Sequence, residues 1–284
     1  MDQYEEIVEK VSKTLVEAGS TFREDKVNAY KRAIKSESSS QAKWVMENIL
    51  ENAITAEKNK SPLCDDTGIP HIVLEIGKNK AINGKMLKAI YEGIEEGLRK
   101  LPGRPMAVLG DDEERISQSK GLSEDSGALA PSPILMKYVE EDILRLHIIM
   151  QGGGPAIRGK TYRVFHKHSV SAVVDEIVDW AKEGTLDLGC TPCTLAVGIG
   201  RSHFEATSMM MEAQVYGSYE KQSALEKEIT DRVNESMTGA LGLRGDITVL
   251  ATFLKVGPQR ASGVRIVCVR PCCCFEPRIA SVDL

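Results

Sequence analysis

Apolar residues recur at helical spacing from the start of the chain. Ile7, Val11 and Leu15 stand at i, i+4 and i+8, and Val45, Ile49 and Ile54 make a second stripe. Glycine and proline are scarce before Pro62, so residues 1–60 read as a helical layer packed on a sheet. The texture then changes. SPLCDDTGIP is turn-rich, HIVLEIG reads as a strand, and GKMLKAIYEGIEEGLRKL is an amphipathic helix stopped by Pro102-Gly103. Residues 104–133 carry a charged run (DDEER) and a Ser/Gly/Pro-rich stretch, an irregular loop long enough to suggest function. ILRLHIIM is a strand, followed directly by QGGGPAIRG. VSAVVDEIVDWAKE is a helix, and LDLGCTPCTLAVGIG is a loop entering a small-residue apolar segment with a GIG turn at 198–200. Residues 204–238 read as two helices. ITVLATFLKV and GVRIVCV are two final strands joined by a Gly-Pro turn. The irregular alternation predicts a mixed α/β (α+β) fold in one domain spanning 1–284, with the helical layer against mixed sheets.

Composition narrows the function more than the fold. Lys and Arg total 36 against 41 Asp and Glu, a net charge of −5, which gives no basic excess to hold a nucleic-acid backbone. The opening MDQYEEIVEKVSKTL is acidic and lacks an apolar run, so it does not read as a signal peptide. No stretch approaches the roughly 20 apolar residues of a membrane span. A cytoplasmic protein is expected, and seven cysteines in such a chain are not a disulfide framework.

The cysteines divide by context. Cys268, inside the strand-like VRIVCV, suits the plain reading of a buried thiol acting as a small hydrophobe. The others sit in three loops rich in residues that free the backbone: Pro62-Leu63-Cys64-Asp65-Asp66-Thr67-Gly68, Gly189-Cys190-Thr191-Pro192-Cys193, and Pro271-Cys272-Cys273-Cys274-Phe275-Glu276-Pro277-Arg278. Cubane clusters are held by thiolates, and three widely separated cysteines suit a cluster that leaves one iron open. Cys190-x2-Cys193 is, as the lesser alternative, half of a zinc site that Cys272 and its neighbours would complete.

Taken in order, the segments PLCDDTG at 62–68, QGGGPA at 151–156, PCTLAVGIG at 192–200, GLRGD at 242–246 and CFEPRIAS at 274–281 resemble the alpha-type domain of iron–sulfur hydro-lyases, class I fumarase and L-tartrate dehydratase. The ordered set spans most of residues 40–284. The resemblance implies a [4Fe–4S] cluster held by Cys64, Cys193 and Cys274, with cluster loops converging at one edge of the fold. Cys272 and Cys273 compete for the third place, and Cys190 has no assigned role. It implies that Asp66, in the D-T-G segment, binds substrate and transfers a proton, with Thr67 beside it. Asp65, Arg104, Gly153, Gly154 and Arg278 are then candidates for binding substrate, the arginines as carboxylate clamps and the glycines as backbone donors.

The implied reaction is reversible loss and gain of water at a C=C bond of a small carboxylic acid, fumarate/malate first, with L-tartrate or another hydroxy acid as the alternative. A non-catalytic metal or iron–sulfur protein sensing redox state is a further alternative. In the family a beta-type polypeptide supplies the rest of the apparatus, so a partner subunit is implied, in a heterotetramer with two chains of each kind. The chain departs from the family pattern at several places. Asp65 stands for a glutamine, Thr194-Leu195 for two prolines, Arg201-Ser202 for Gly-Thr, and Arg260 lies near an expected histidine. His71, His147, His166 and His168 have no supporting motif. His147 is expected to be packed or hydrogen-bonded within its strand, and His203 to stand behind the second cysteine loop.

Overall fold

A computed structural model describes residues 3–284. Met1 and Asp2, where the helical reading of 1–60 begins, lie outside the described residues. The chain divides into two compact units. One comprises the stretch ending at Thr21, Ala53–Gly152 and Arg278–Leu284; the other comprises Phe22–Asn52 and Gly153–Pro277.

The amino-terminal helical reading holds for α1 (Gln3–Ser20), α2 (Glu24–Ser36) and α3 (Ser40–Asn59). Ile7, Val11 and Leu15 are buried as their spacing requires. In α3 the buried face is Val45, Met46, Ile49, Ala53 and Ala56, and Ile54, expected inside, is 58% exposed. Ile54 falls beside that face, because five residues advance a helix by well over one turn.

In the first unit the sheet order is β2-β1-β3-β8, from β1 (Ile69–Gly77), β2 (Leu135–Val139), β3 (Leu144–Gln151) and β8 (Arg278–Asp283). β3 runs antiparallel to both β1 and β8, while β2 is parallel to β1. α1 and α4 (Gly84–Lys100) share a core with this sheet, built on Val11, Leu15, Ile72, Leu74, Ile90, Ile94, Leu146 and Ile148. α4 begins where the Asn83 side chain accepts from the Met86 amide, satisfying one of the orphan donors of the first turn. The DDEER run expected in an irregular loop forms α5 (Asp112–Ser117), closed by a reciprocal Asp111–Glu114 capping box.

In the second unit the order is β4-β7-β5-β6, from β4 (Lys160–Phe165), β5 (Cys193–Gly200), β6 (Val249–Val256) and β7 (Val264–Cys272). α6 (Gly153–Ala156) is one turn. It is followed in the chain by α7 (Val170–Leu188), α8 (His203–Tyr216) and α9 (Ala224–Asn234). Every residue of β5 is buried. Leu195, Val197 and Ile199 join the core shared with α7 and α9. The alternate positions Ala196, Gly198 and Gly200 are small, and α8 lies against two of them: a Cβ on Gly198 would overlap the Ala206 carbonyl and the Met210 amide. The GIG triplet is therefore the end of a central strand, with its two glycines packed too closely for any side chain, and not a turn. β6 and β7, expected as consecutive final strands, are separated by β5, which pairs with β6 in parallel and β7 antiparallel.

Three strands were not anticipated: β2, β4 and β8. All lie at sheet edges. Each is short and leaves many of its residues at least partly exposed, so it carries no continuous apolar run for a sequence pattern to show, unlike β6, an edge strand that is buried or half-buried along most of its length.

Gly198→Ala is expected to lower stability by about 3 kcal/mol, the upper range for overpacking, because the new methyl meets main chain that cannot rotate away. Urea unfolding of the two proteins checks this; an unchanged midpoint would show that α8 can retreat from β5.

Candidate metal and substrate site

The first cysteine loop belongs to the first unit and is tied down at both ends. Leu63 is buried and its amide donates to the Gly19 carbonyl at 3.0 Å, anchoring the loop to the end of α1. Cys64 is half-buried. The Thr67 amide donates to the Asp65 carbonyl at 2.9 Å, closing a tight turn. Thr67 is buried against Gly103, where any side chain would strike its hydroxyl. Gly68 has φ +92°, and a Cβ there would lie 2.8 Å from Arg278 Nη2. Glycine is thus required both by the backbone angle and by the guanidinium behind it.

That guanidinium is 1% exposed. Its Nε donates to the Met150 carbonyl at 3.2 Å and its Nη1 to the Asp66 carbonyl at 2.8 Å. Arg278, expected as a carboxylate clamp, is committed to main-chain oxygens and holds the backbone of Asp66 in place. The Asp66 residue itself is half-buried. Asp65 and Arg104 face each other at 3.8 Å, both exposed, an ion pair worth at most about 1 kcal/mol. Both therefore remain available to solvent. His147 is packed as expected: its Nδ1 lies 2.7 Å from Ser281 Oγ and its Nε2 lies 3.3 Å from Glu75.

In the second unit the two remaining cysteine loops meet. The Cys274 amide donates to the Cys190 carbonyl at 2.8 Å, and Cys193, which opens β5, donates its amide to the Thr248 carbonyl at 2.9 Å. Thr191 fixes the neighbouring loop, its hydroxyl donating to the Gly239 carbonyl and its carbonyl accepting from the Leu241 amide. The GLRGD segment is held from the other side by Glu37, whose carboxylate accepts from the Asp246 and Ile247 amides. Cys193, Cys272, Cys273 and Cys274 are buried and Cys190 is exposed. The Cys272 thiol faces Gln214 of α8 at 3.8 Å. Those of Cys273 and Cys274 are hydrogen-bonded to each other.

Several residues around these thiols were not singled out from the sequence. The Lys26 ammonium, on a side chain in a residue only 1% exposed, donates to the Glu276 carbonyl at 2.7 Å. Tyr30, one turn on, donates its hydroxyl to the Cys274 carbonyl at 2.8 Å. Arg270 Nη2 donates to Glu276 Oε2 at 2.9 Å in a fully buried pair. The signal was present: Phe22, Lys26 and Tyr30 make a stripe at i, i+4 and i+8, with a charge at its centre.

Burial pushes the Cys193 thiol well up, and the neighbouring Cys272 and Cys273 add to it. Cys272 is raised by burial and then by Glu276, against the pull of Arg270. Cys274 is raised first by its bond to Cys273 and then by burial. Burial lowers Lys26 to about 8, opposed by Cys273, Cys274, Cys272 and Glu276.

Among the described residues no three His, Cys, Asp or Glu side chains form a ready metal-holding group. The donor chemistry nevertheless suits an iron–sulfur group: soft thiols from two loops, enclosed with cations that favour thiolate. His203 does not stand behind these thiols. It opens α8 after the far end of β5, roughly 23 Å from Cys193 along the strand at about 3.3 Å per residue. Gly153 and Gly154 form the start of the single turn α6, where the Gly154 carbonyl accepts from Arg158 at 3.3 Å.

A family model described as Fumarate hydratase (Fumerase) matches residues 8–282. A Methanocaldococcus jannaschii protein provisionally named L(+)-tartrate dehydratase subunit alpha is 30% identical over 95% of this chain and 96% of its own length. The L(+)-tartrate dehydratase subunit alpha of Escherichia coli is 22% identical over 88% of this chain and 82% of its own.

Iodoacetamide labelling of the reduced, metal-free protein is expected to modify Cys190 first and Cys64 next, with Cys193, Cys272, Cys273 and Cys274 slower by about tenfold or more, since the thiolate must form and be reached before it can react. Peptide mass spectrometry reads the order; equal rates would contradict the burial of the second-unit thiols.

Proposed function

The chain belongs to the fumarate hydratase (Fumerase) family, and on that premise we propose that it is the alpha subunit of an oxygen-sensitive iron–sulfur hydro-lyase acting on a small hydroxy dicarboxylic acid. The observation that carries the reading is the meeting of Cys193 with the Cys272–Cys274 segment, buried beside a lysine, from loops some eighty positions apart in the chain.

The ligands in this reading are Cys64, Cys193 and Cys274. Cys272 is the weakest competitor for the third place, because its thiol is turned to Gln214. Cys273 remains the stronger competitor, its thiol hydrogen-bonded with that of Cys274. When bound, a [4Fe–4S] cluster would supply a Lewis-acidic iron that eases departure of a hydroxyl with no redox change. The chain's own residues do the rest. Asp66 holds the proton that leaves one carbon as hydroxyl leaves the next, and returns it in the hydration direction. Arg278 and Thr67 keep that carboxyl in place by fixing the backbone on either side of it. Arg104, paired loosely with Asp65, can exchange that partner for a substrate carboxylate, which offsets the repulsion that a second acid would otherwise impose. Gly153 and Gly154 stand as backbone donors in the same reading.

Fumarate/malate is the first substrate reading. L-tartrate is the second, favoured by the printed names of the relatives. Those names, as alpha subunits, also support a beta-type partner, which we place with this chain in a heterotetramer of two copies of each. No described helix is long and apolar enough to cross a membrane, in keeping with the cytoplasmic reading.

Anaerobic co-purification with the neighbouring beta-type polypeptide, followed by a screen of hydroxy acids for loss of water, tests the reaction. Asp66→Asn is expected to lower kcat by about a hundredfold or more while leaving the cluster's visible absorbance intact. Unchanged turnover would remove Asp66 from the mechanism. Exposure to air should bleach the visible absorbance and the activity together, whereas a zinc-holding protein would show no visible band to bleach.

A further inference from the structure

Lys26 is a cation in a place that charges avoid. It lies on the inner face of α2 with its residue 1% exposed, and its ammonium makes one hydrogen bond among the described residues, to the Glu276 carbonyl at 2.7 Å. The Phe22 ring lies under it at 4.4 Å. Burying an ammonium costs several kcal/mol unless negative charge compensates it, and a carbonyl and a ring supply only partial charge. Glu276 has the formal charge to do so, but its carboxylate is taken by Arg270 at 2.9 Å. Among the described residues, the charged groups acting on the Cys272 thiol are Glu276, Arg270 and Lys26, so cations exceed anions by one in this set.

We infer that Lys26 is the counter-cation of the bound cluster: a positioning residue that fixes the third cysteine segment through Glu276 and offsets the negative charge of the thiolates. This rests on the iron–sulfur reading above. A cubane held by three thiolates carries one net negative charge in its resting state, which matches the excess. α2 is also held by contacts that do not involve Lys26. Arg23 donates to the Gly217 carbonyl at 2.8 Å and Asp25 accepts from the Tyr219 amide at 3.2 Å, so the helix that delivers the ammonium is pinned at its start. Tyr30 then pins it again at the Cys274 carbonyl. A charge this close to the thiolates stabilises the more negative, reduced state of a cluster and strengthens its retention.

The test uses the full chain, reconstituted anaerobically with ferrous iron and sulfide, as wild type, Lys26→Arg, Lys26→Gln and Lys26→Met. Iron and labile sulfide per chain, competition with a chelator, and the midpoint potential from an EPR-monitored titration are measured beside thermal unfolding of each apoprotein. Lys26→Arg is expected to stay near wild type. Lys26→Gln, which keeps a donor for the Glu276 carbonyl and loses only the charge, should hold iron about tenfold more weakly and shift the potential to more negative values. If Lys26→Met does not fold, the Gln and Arg variants carry the comparison. A Gln variant with wild-type retention and potential overturns the counter-cation role and leaves the cluster standing. A wild type that takes up no iron and sulfide overturns the cluster reading itself, and the counter-cation with it.

Discussion

The second unit is organised around Glu276. Its carboxylate takes the Arg270 guanidinium and its carbonyl takes the Lys26 ammonium, and all three residues are buried. Removing one partner of such an arrangement leaves a charge stranded in a low dielectric, at a cost of about 3–5 kcal/mol, so the three stand or fall together. The consequence is geometric. Cys272, Cys273 and Cys274 lie between Arg270 and Glu276 in the chain, and a segment held at both ends by buried ion-pair and hydrogen-bond contacts cannot wander. The Cys274 carbonyl and amide are fixed as well, by Tyr30 and by the Cys190 carbonyl.

The strand that presents Cys193 is held by a different means. β5 is buried along its whole length, with branched side chains toward α7 and α9 and small residues toward α8. A central strand with neighbours on both edges and helices on both faces has no freedom to shift register, so its first residue is fixed. The family matched by this chain and the alpha subunits it resembles are named for hydro-lyases. In the first unit Arg278 grips the Asp66 carbonyl, so the backbone of that residue is fixed by a buried guanidinium.

Much of this was legible in the residues. The longer helices α1, α3, α4 and α7 were readable from their apolar patterns; the structure adds caps at Ser169 before α7 and a Ser223–Glu226 box before α9. β1, β3, β6 and β7 announced themselves by apolar or β-branched runs. The cysteine loops stood out because a thiol among Gly, Pro and Asp has no core to fill. β2, β4 and β8 were hidden for want of an apolar run, and Ile54 misled because its stripe was drawn on residue type without regard to the helical angle. Residue type alone does not single out Lys26, since a charge inside an amphipathic helix is nearly always on the outer face.

The chain's sequence by itself determined the element types, the mixed class and which cysteines were worth watching, because those depend on local periodicity and on backbone freedom within a few residues. Only the tertiary structure decided that β5 separates β6 from β7, that Cys272 turns to Gln214 while the Cys273 and Cys274 thiols hydrogen-bond, and that Arg278 grips main chain. It alone decided that a lysine from the second helix ends beside cysteines some 250 positions later. Such pairings are set by which buried groups must satisfy one another once the core has closed, and no local pattern carries that information.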